Sequence, residues 1–153
     1  MYSKISNTIS VENIRTAEFT KLLENIYRTV NIGLINELRK VSDKMNINIF
    51  DAVNAAKTKP FGYQPFYPGP GVGGHCIPVD PFFLTWKAKK LGINTEFIKL
   101  SGQINDERPK IITNKINKFL IKNKKYKNIK CLIVGIAYKK DCDDLRLSPA
   151  LKI

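Results

Sequence analysis

Between Ile14 and Met45, apolar residues recur at positions 14, 19, 22, 23, 26, 27, 30, 34, 35, 38, 41 and 45, among others, and the stretch contains no proline. That spacing follows the 3.6-residue period of an α-helix rather than the two-residue period of a strand. Such a helix runs roughly 45 Å at about 1.5 Å per residue, more than a small domain needs to span itself. The excess length predicts that the helix also packs against a partner, with a homodimer as the simplest arrangement. Gly33 lies in its interior, where glycine costs about 1 kcal/mol relative to alanine. The expectation here is a tolerated glycine, not a close helix contact.

The rest of the chain divides by texture. Asn48 is placed to cap a short helix over Ile49 to Lys57. Thr58 to Pro81 then holds six of the eight prolines and five of the nine glycines, so it reads as an ordered irregular loop. Asp80 and Pro81 read as N-cap and first residue of a helix over Phe82 to Leu91, closed by Gly92. Thr95 is placed to cap a helix from Glu96 toward Asp106, and Pro109 either kinks it or opens another ending near Lys122. After a lysine-rich turn at 123–128, the run KCLIVGIA reads as a strand buried on both faces, with Cys131 in its core. Ser148 and Pro149 read as the start of a further helix. The fold expectation is mainly α: residues 1–12 as a lead, 13–123 as a helical domain built on one long helix, and 124–153 as the start of an α/β domain.

Composition removes several function classes. The formal charge is +13 in 153 residues. Residues 110–153 carry 12 of the 26 basic groups and only 3 of the 13 acidic ones, and the bases are lysine except at five arginines. Base readout and stacking favour arginine, so the excess reads as a solvated lysine face and argues against a nucleic-acid partner. Three cysteines without a CxxC pair and a single histidine argue against a disulfide framework and a structural zinc site. No apolar run approaches the roughly 20 residues of a membrane span, and the N-terminus lacks a signal-peptide core, which gives the cytoplasm as the expected location.

The densest chemistry is GPGVGGHCIPVDP. Cys76 sits in a glycine loop just before a helix N-terminus, a setting that favours a reactive thiol over a buried structural one. His75 is an unsuitable base for it, because adjacent side chains in extended backbone point apart. On the long helix, Lys21 and Asn25 are four apart and share a face; taken alone they read as solvated surface.

Three strings in order, AEFTKLLENIYRTVNIGLINEL, FYPGPGVGGHCIPVDPFFLTWKAKKLG and GIAYKKDCDDLRLSPAL, resemble the UDP-glucose/GDP-mannose dehydrogenase family. Within it, the glycine loop is most similar to that of enzymes acting on UDP-N-acetylglucosamine, with those acting on UDP-N-acetylmannosamine close behind. The resemblance implies a helical central domain followed by the start of a UDP-sugar-binding domain. It also implies NAD as cofactor, held by an N-terminal Rossmann domain that no part of this sequence resembles; Gly69, Gly71 and Gly74 have GxGxxG spacing but lie in the proline-rich loop and not after a strand pattern. By position, Cys76 resembles the nucleophile, Lys21 and Asn25 the helix pair beside it, and Asp80 a carboxylate that activates water. Tyr67, Gly69, Gly71 and Gly73 resemble the sugar and diphosphate loop. Tyr138 and Lys139 resemble UDP-sugar contacts, and Arg146 a cofactor contact, although Leu147 follows it where the family has glutamate. The implied reaction is a two-step oxidation of a sugar 6-hydroxymethyl to the acid through a thiohemiacetal and a thioester on Cys76. Two readings follow: a dehydrogenase part whose NAD-binding half comes from a separate chain or has been lost, or a nonenzymatic remnant that serves as a helical dimerisation module.

Overall fold

The computed structural model describes residues 4–123 and 129–153. They form four α-helices, α1 (Ile14–Lys44), α2 (Ile49–Ala56), α3 (Asp80–Lys90) and α4 (Glu96–Lys122), with a closing 3-10 turn at Pro149–Lys152. α1 and α4, of 31 and 27 residues, pack along each other and carry the fold. Asn13 caps α1 by accepting from Thr16 N, and Asn48 caps α2 by accepting from Phe50 N. The lysine-rich run at 124–128 lies outside the described residues.

The long helix is where the periodicity put it, but its buried face is not the apolar one. Asn25, Thr29, Gly33 and Asn36 are buried, and at 100° per residue they fall on one stripe. Leu23, Tyr27, Leu34, Leu38, Val41 and Met45 fall on the opposite stripe and are all exposed. The reason is close approach. An added Cβ at Gly33 would stand 3.0 Å from Ser101 Cβ and 3.1 Å from its Cα on α4, so the two backbones meet there and only small residues fit. The expectation of a merely tolerated glycine is therefore corrected.

Polar bonds replace oil at this crossing. Asn36 Nδ2 donates to Asn105 Oδ1 at 3.0 Å, and Asn105 Nδ2 donates to the Thr29 carbonyl at 3.1 Å. Asn36 Oδ1 also accepts from Gly69 N at 2.9 Å, which ties the proline-glycine loop to the helix pair. A small apolar cluster of Ile35, Ile49 and Val53, with Phe66 against it, seats α2.

Pro109 neither starts a helix nor ends one: α4 runs through it. Proline cannot donate to the carbonyl four residues back. That carbonyl, on Asn105, is where the glycine loop comes in, since a Cβ on Gly71 would lie 2.9 Å from it. Thr95 does not cap α4 with its side chain; its hydroxyl bonds Thr85 Oγ1 at 2.9 Å. Ser148 is likewise not a side-chain cap, because its hydroxyl donates to the Ile136 carbonyl.

The expected strand at Lys130–Ala137 is not formed, and no strand occurs among the described residues. A strand exists only by pairing, and no partner runs beside this segment. Leu132 and Val134 consequently stand 86% and 88% exposed, and Cys131 is exposed rather than core.

Gly33→Ala tests the crossing. Alanine gains about 1 kcal/mol of helix propensity, but overpacking against Ser101, which costs about 1–3 kcal/mol, should outweigh it and leave the chain up to about 2 kcal/mol less stable by urea unfolding. Unchanged stability would show that the helices separate there without cost.

Candidate active site

Cys76 opens the turn that leads into α3, and its carbonyl accepts from Val79 N at 3.1 Å and Asp80 N at 2.8 Å. The backbone is therefore already helical at Val79, which serves as N-cap with no side-chain bond. Asp80 is the first residue of α3 rather than its cap. Its carboxylate turns to α1, where Asp80 Oδ2 accepts from Asn25 Nδ2 at 2.5 Å. Thr29 fastens the same turn, its hydroxyl lying 2.9 Å from the Asn25 carbonyl and 3.2 Å from the Ile77 carbonyl.

A cavity of about 350 Å³ opens beside this turn, lined by Lys21, Asn25 and Arg28 of α1, by Gly73 to Ile77, and by Tyr138 and Lys139. Lys21 is exposed, 3.9 Å from Glu24. Asn25 is fully buried, contrary to a surface reading, and both ends of its amide are committed: Asn25 Oδ1 accepts from Arg28 Nη2 at 2.5 Å while Nδ2 holds Asp80. It is placed to position its neighbours. Arg28 is the residue that motif reading missed. It sits seven positions after Lys21 and three after Asn25, which is the same helix face, and that spacing was the available signal. Its Nε is buried without a hydrogen-bond partner among the described residues.

Tyr138 explains the paired glycines. A Cβ on Gly73 would meet Tyr138 Cβ at 2.5 Å, and one on Gly74, whose φ is +84°, would meet the ring at 2.9 Å. Glycine alone lets the loop lie on the ring, and Gly74 N donating to the Arg146 carbonyl at 2.9 Å pins the 138–148 segment there. Desolvation, with the nearby Cys142 and Asp144 adding, holds the Tyr138 phenol above its ordinary value.

The remaining expected site residues lie outside the cavity lining. The Tyr67 hydroxyl donates to Asn54 Oδ1 at 2.8 Å, and its ring stacks on Phe50 of α2. Gly69 and Gly71 pack on Asn36 and Asn105, as described above. Arg146 is clasped by Asp144, with contacts of 2.6 to 3.0 Å to both carboxylate oxygens. Asp144 thus provides the carboxylate that Leu147 does not. With that fork engaged, and with Gly69 to Gly74 running through irregular backbone rather than from strand to helix, the residues present do not form a dinucleotide cradle. Among the described residues there is no cluster of metal-binding side chains, and no helix is long and apolar enough to cross a membrane.

A helix pair with a glycine loop and a cysteine turn laid against it is the architecture of a dehydrogenase central domain, and comparison with known proteins makes the assignment firm. The central domain of the UDP-glucose/GDP-mannose dehydrogenase family matches residues 15–107, and the chain belongs to that family. It is 42% identical over 151 residues to a UDP-N-acetyl-D-mannosamine dehydrogenase of Methanococcus aeolicus, covering 99% of this chain and 33% of that protein. A protein of the same name from Campylobacter jejuni is 43% identical over 141 residues, covering 92% of this chain and 33% of its own length. The solved UDP-D-ManNAc dehydrogenase of Pyrococcus horikoshii superposes with a TM-score of 0.78 at 38% identity, over 90% of this chain and 32% of that one. The chain thus spans about one third of the length of these relatives. Membership in a dehydrogenase family implies a nicotinamide cofactor.

The bonds from Arg146 hold the Asp144 carboxyl down at about 2, against 3.8 for an ordinary aspartate. A lowered folded value means that the clasp contributes fully above about pH 4 and is lost as pH falls toward 2. Carboxyl-carbon NMR should give Asp144 a midpoint near 2, moving up toward the ordinary value in Arg146→Ala. An ordinary midpoint in the parent chain would show that the clasp does not persist in solution.

Proposed function

We propose that this chain is the substrate-holding central part of an NAD-dependent UDP-sugar 6-dehydrogenase that oxidises a UDP-N-acetylhexosamine to its uronic acid. The observation that carries the reading is the convergence of Cys76, Lys21, Arg28 and Lys139 on one cavity. Three cations and no carboxylate line it, a charge balance suited to a sugar diphosphate. The N-acetylhexosamine class is supported by the mannosamine names of the relatives and by the loop resemblance. In the proposed division of the chain, 1–12 is a lead, 13–123 the catalytic and dimerisation domain, and 124–153 the start of the UDP-binding domain.

The chemistry assigned to the chain's own residues begins at the thiol. Cys76 Sγ adds to the C6 aldehyde carbon, its proton leaves, and the carbonyl electron pair moves to oxygen, so the aldehyde cannot diffuse away. The Lys21 ammonium stabilises that oxyanion. Asp80, held by Asn25, orients the water that later releases the acid from sulfur. Hydride acceptance is what a nicotinamide would supply, and its cradle would belong to a Rossmann domain on the same protein or a separate chain.

The three cysteines fall in three different tryptic peptides, so site-specific protection can be read by mass spectrometry. A UDP-N-acetylhexosamine 6-aldehyde should slow iodoacetamide labelling of Cys76 by at least about tenfold at saturation, leaving Cys131 unaffected. Equal labelling with and without the aldehyde would overturn the assignment of Cys76.

The homodimer is proposed on the exposed stripe of α1, where Leu23, Leu34, Leu38 and Val41 are 43% to 56% exposed. Contiguous apolar surface of this kind marks an association face. Light scattering at micromolar concentration should give twice the 17.4 kDa chain mass, and Leu34→Glu with Leu38→Glu should return the monomer. A monomeric parent chain would count against it.

A further inference from the structure

The last two turns of α1 and the middle of α4 flank a second cavity, open to solvent and of about 310 Å³, lined by Lys40, Asp43, Lys44, Arg108, Ile111 and Lys115. Arg108 is 6% exposed, yet no carboxylate lies within ion-pairing distance of it among the described residues. Its one hydrogen bond is from Nε to the Gly69 carbonyl at 3.1 Å. An arginine this little exposed, with Asp43 near it but no carboxylate in ion-pairing contact, is uncommon.

The neighbouring acids are already engaged. Asp43 accepts from Arg39 Nε at 2.6 Å on one oxygen and from Lys115 Nζ on the other. Glu107 faces Lys40 at 3.7 Å on the surface. Five cations, Arg39, Lys40, Lys44, Arg108 and Lys115, thus crowd two carboxylates, and burial together with the like-charged Arg39 lowers the Arg108 value from that of a free arginine. Dipole compensation accounts for Lys44 in the last turn of α1, but not for a cation sunk in the side of α4.

We propose that this cavity is an anion site for a compact phosphate-class ligand, separate from the Cys76 cavity, in which Arg108 supplies the buried contact and Lys44 and Lys115 the outer ones. The small span of the cluster, confined to one stretch of α1 and α4, favours a phosphate or diphosphate group over an extended polyanion, which needs a long track of charge. Arg108 also holds the Gly69 carbonyl, so a ligand on its guanidinium acts on the loop that runs from Gly69 to Cys76. The site therefore has a mechanical route to the reaction cavity.

The test is a titration of the ¹⁵N-labelled full chain with inorganic diphosphate at low ionic strength, with sodium chloride of equal ionic strength as control. Saturable shifts are expected at the Arg108 Nε–H and at the Gly69, Lys44 and Lys115 amides, with Kd below about 1 mM. Lys44→Glu, a surface change, should weaken binding at least tenfold, whereas Lys21→Ala in the other cavity should leave it unchanged. Inorganic phosphate and UDP titrated in parallel distinguish a free phosphate from a nucleotide diphosphate as the source. Shifts confined to Gly73, Gly74 and Tyr138, shifts reproduced by sodium chloride, indifference to Lys44→Glu, or no saturable shift would each overturn the proposal.

Discussion

The contact between Gly33 and Ser101 sets the terms for everything else in this fold. With 3.0 Å between a would-be Cβ and Ser101 Cβ, the helices stand too close for leucine or valine between them. The interface must then be made of small or flat side chains, and those that can hold two helices together at short range are amides and hydroxyls. Each buried asparagine has to satisfy its donors and its acceptor or lose stability. Asn36 and Asn105 do so largely through each other, the Thr29 carbonyl and Gly69 N. Such a network fixes register in a way that a slippery apolar face does not.

Register is what the site requires. Lys21, Asn25, Arg28 and Thr29 lie on the same helix that carries Gly33 and Asn36, so the crossing that aligns α1 with α4 also sets where the cysteine turn and the glycine loop can dock. Gly69 is held from both sides, its N–H by Asn36 and its carbonyl by Arg108. From there the loop reaches Gly73 and Gly74, which rest on Tyr138, and then Cys76. A loop this irregular keeps one shape because its backbone polar groups are bound at intervals by rigid helices.

The sequence made the helices legible and hid their orientation. The apolar period located α1 within a residue at either end, yet it pointed to the outer face. The second stripe, Asn25, Thr29, Gly33 and Asn36, has the same period but consists of residues that hydropathy counts as neutral or polar. Caps were legible where the side chain had no better partner, as at Asn48, and misleading where a tertiary partner competed. Asp80 went to Asn25, Thr95 to Thr85 and Ser148 to Ile136. The apolar run from Lys130 has the composition of a strand, but a strand is a relation between two segments, and one segment's composition cannot supply the other. Cys76 was legible as chemistry from its loop, while Arg28 was overlooked because arginine on a long helix is ordinarily solvated.

The choice of asparagine at position 25 has an electrostatic consequence for the Cys76 cavity. Arg28 and Asp80 lie on opposite sides of it, and direct pairing would cancel their charges and turn both away from the opening. The neutral amide stands between them, accepting from the guanidinium and donating to the carboxylate at 2.5 Å each. Both groups are oriented through it without pairing with each other, and the guanidinium keeps only the exposed Glu24 at 3.9 Å as a carboxylate neighbour. An aspartate at this position would pair with Arg28 and repel Asp80, and a leucine would leave both without their bond in a site that excludes water from Asn25 entirely. The amide is therefore what joins the cationic cavity wall on α1 to a carboxylate on α3, with the cysteine turn fastened beside them by Thr29.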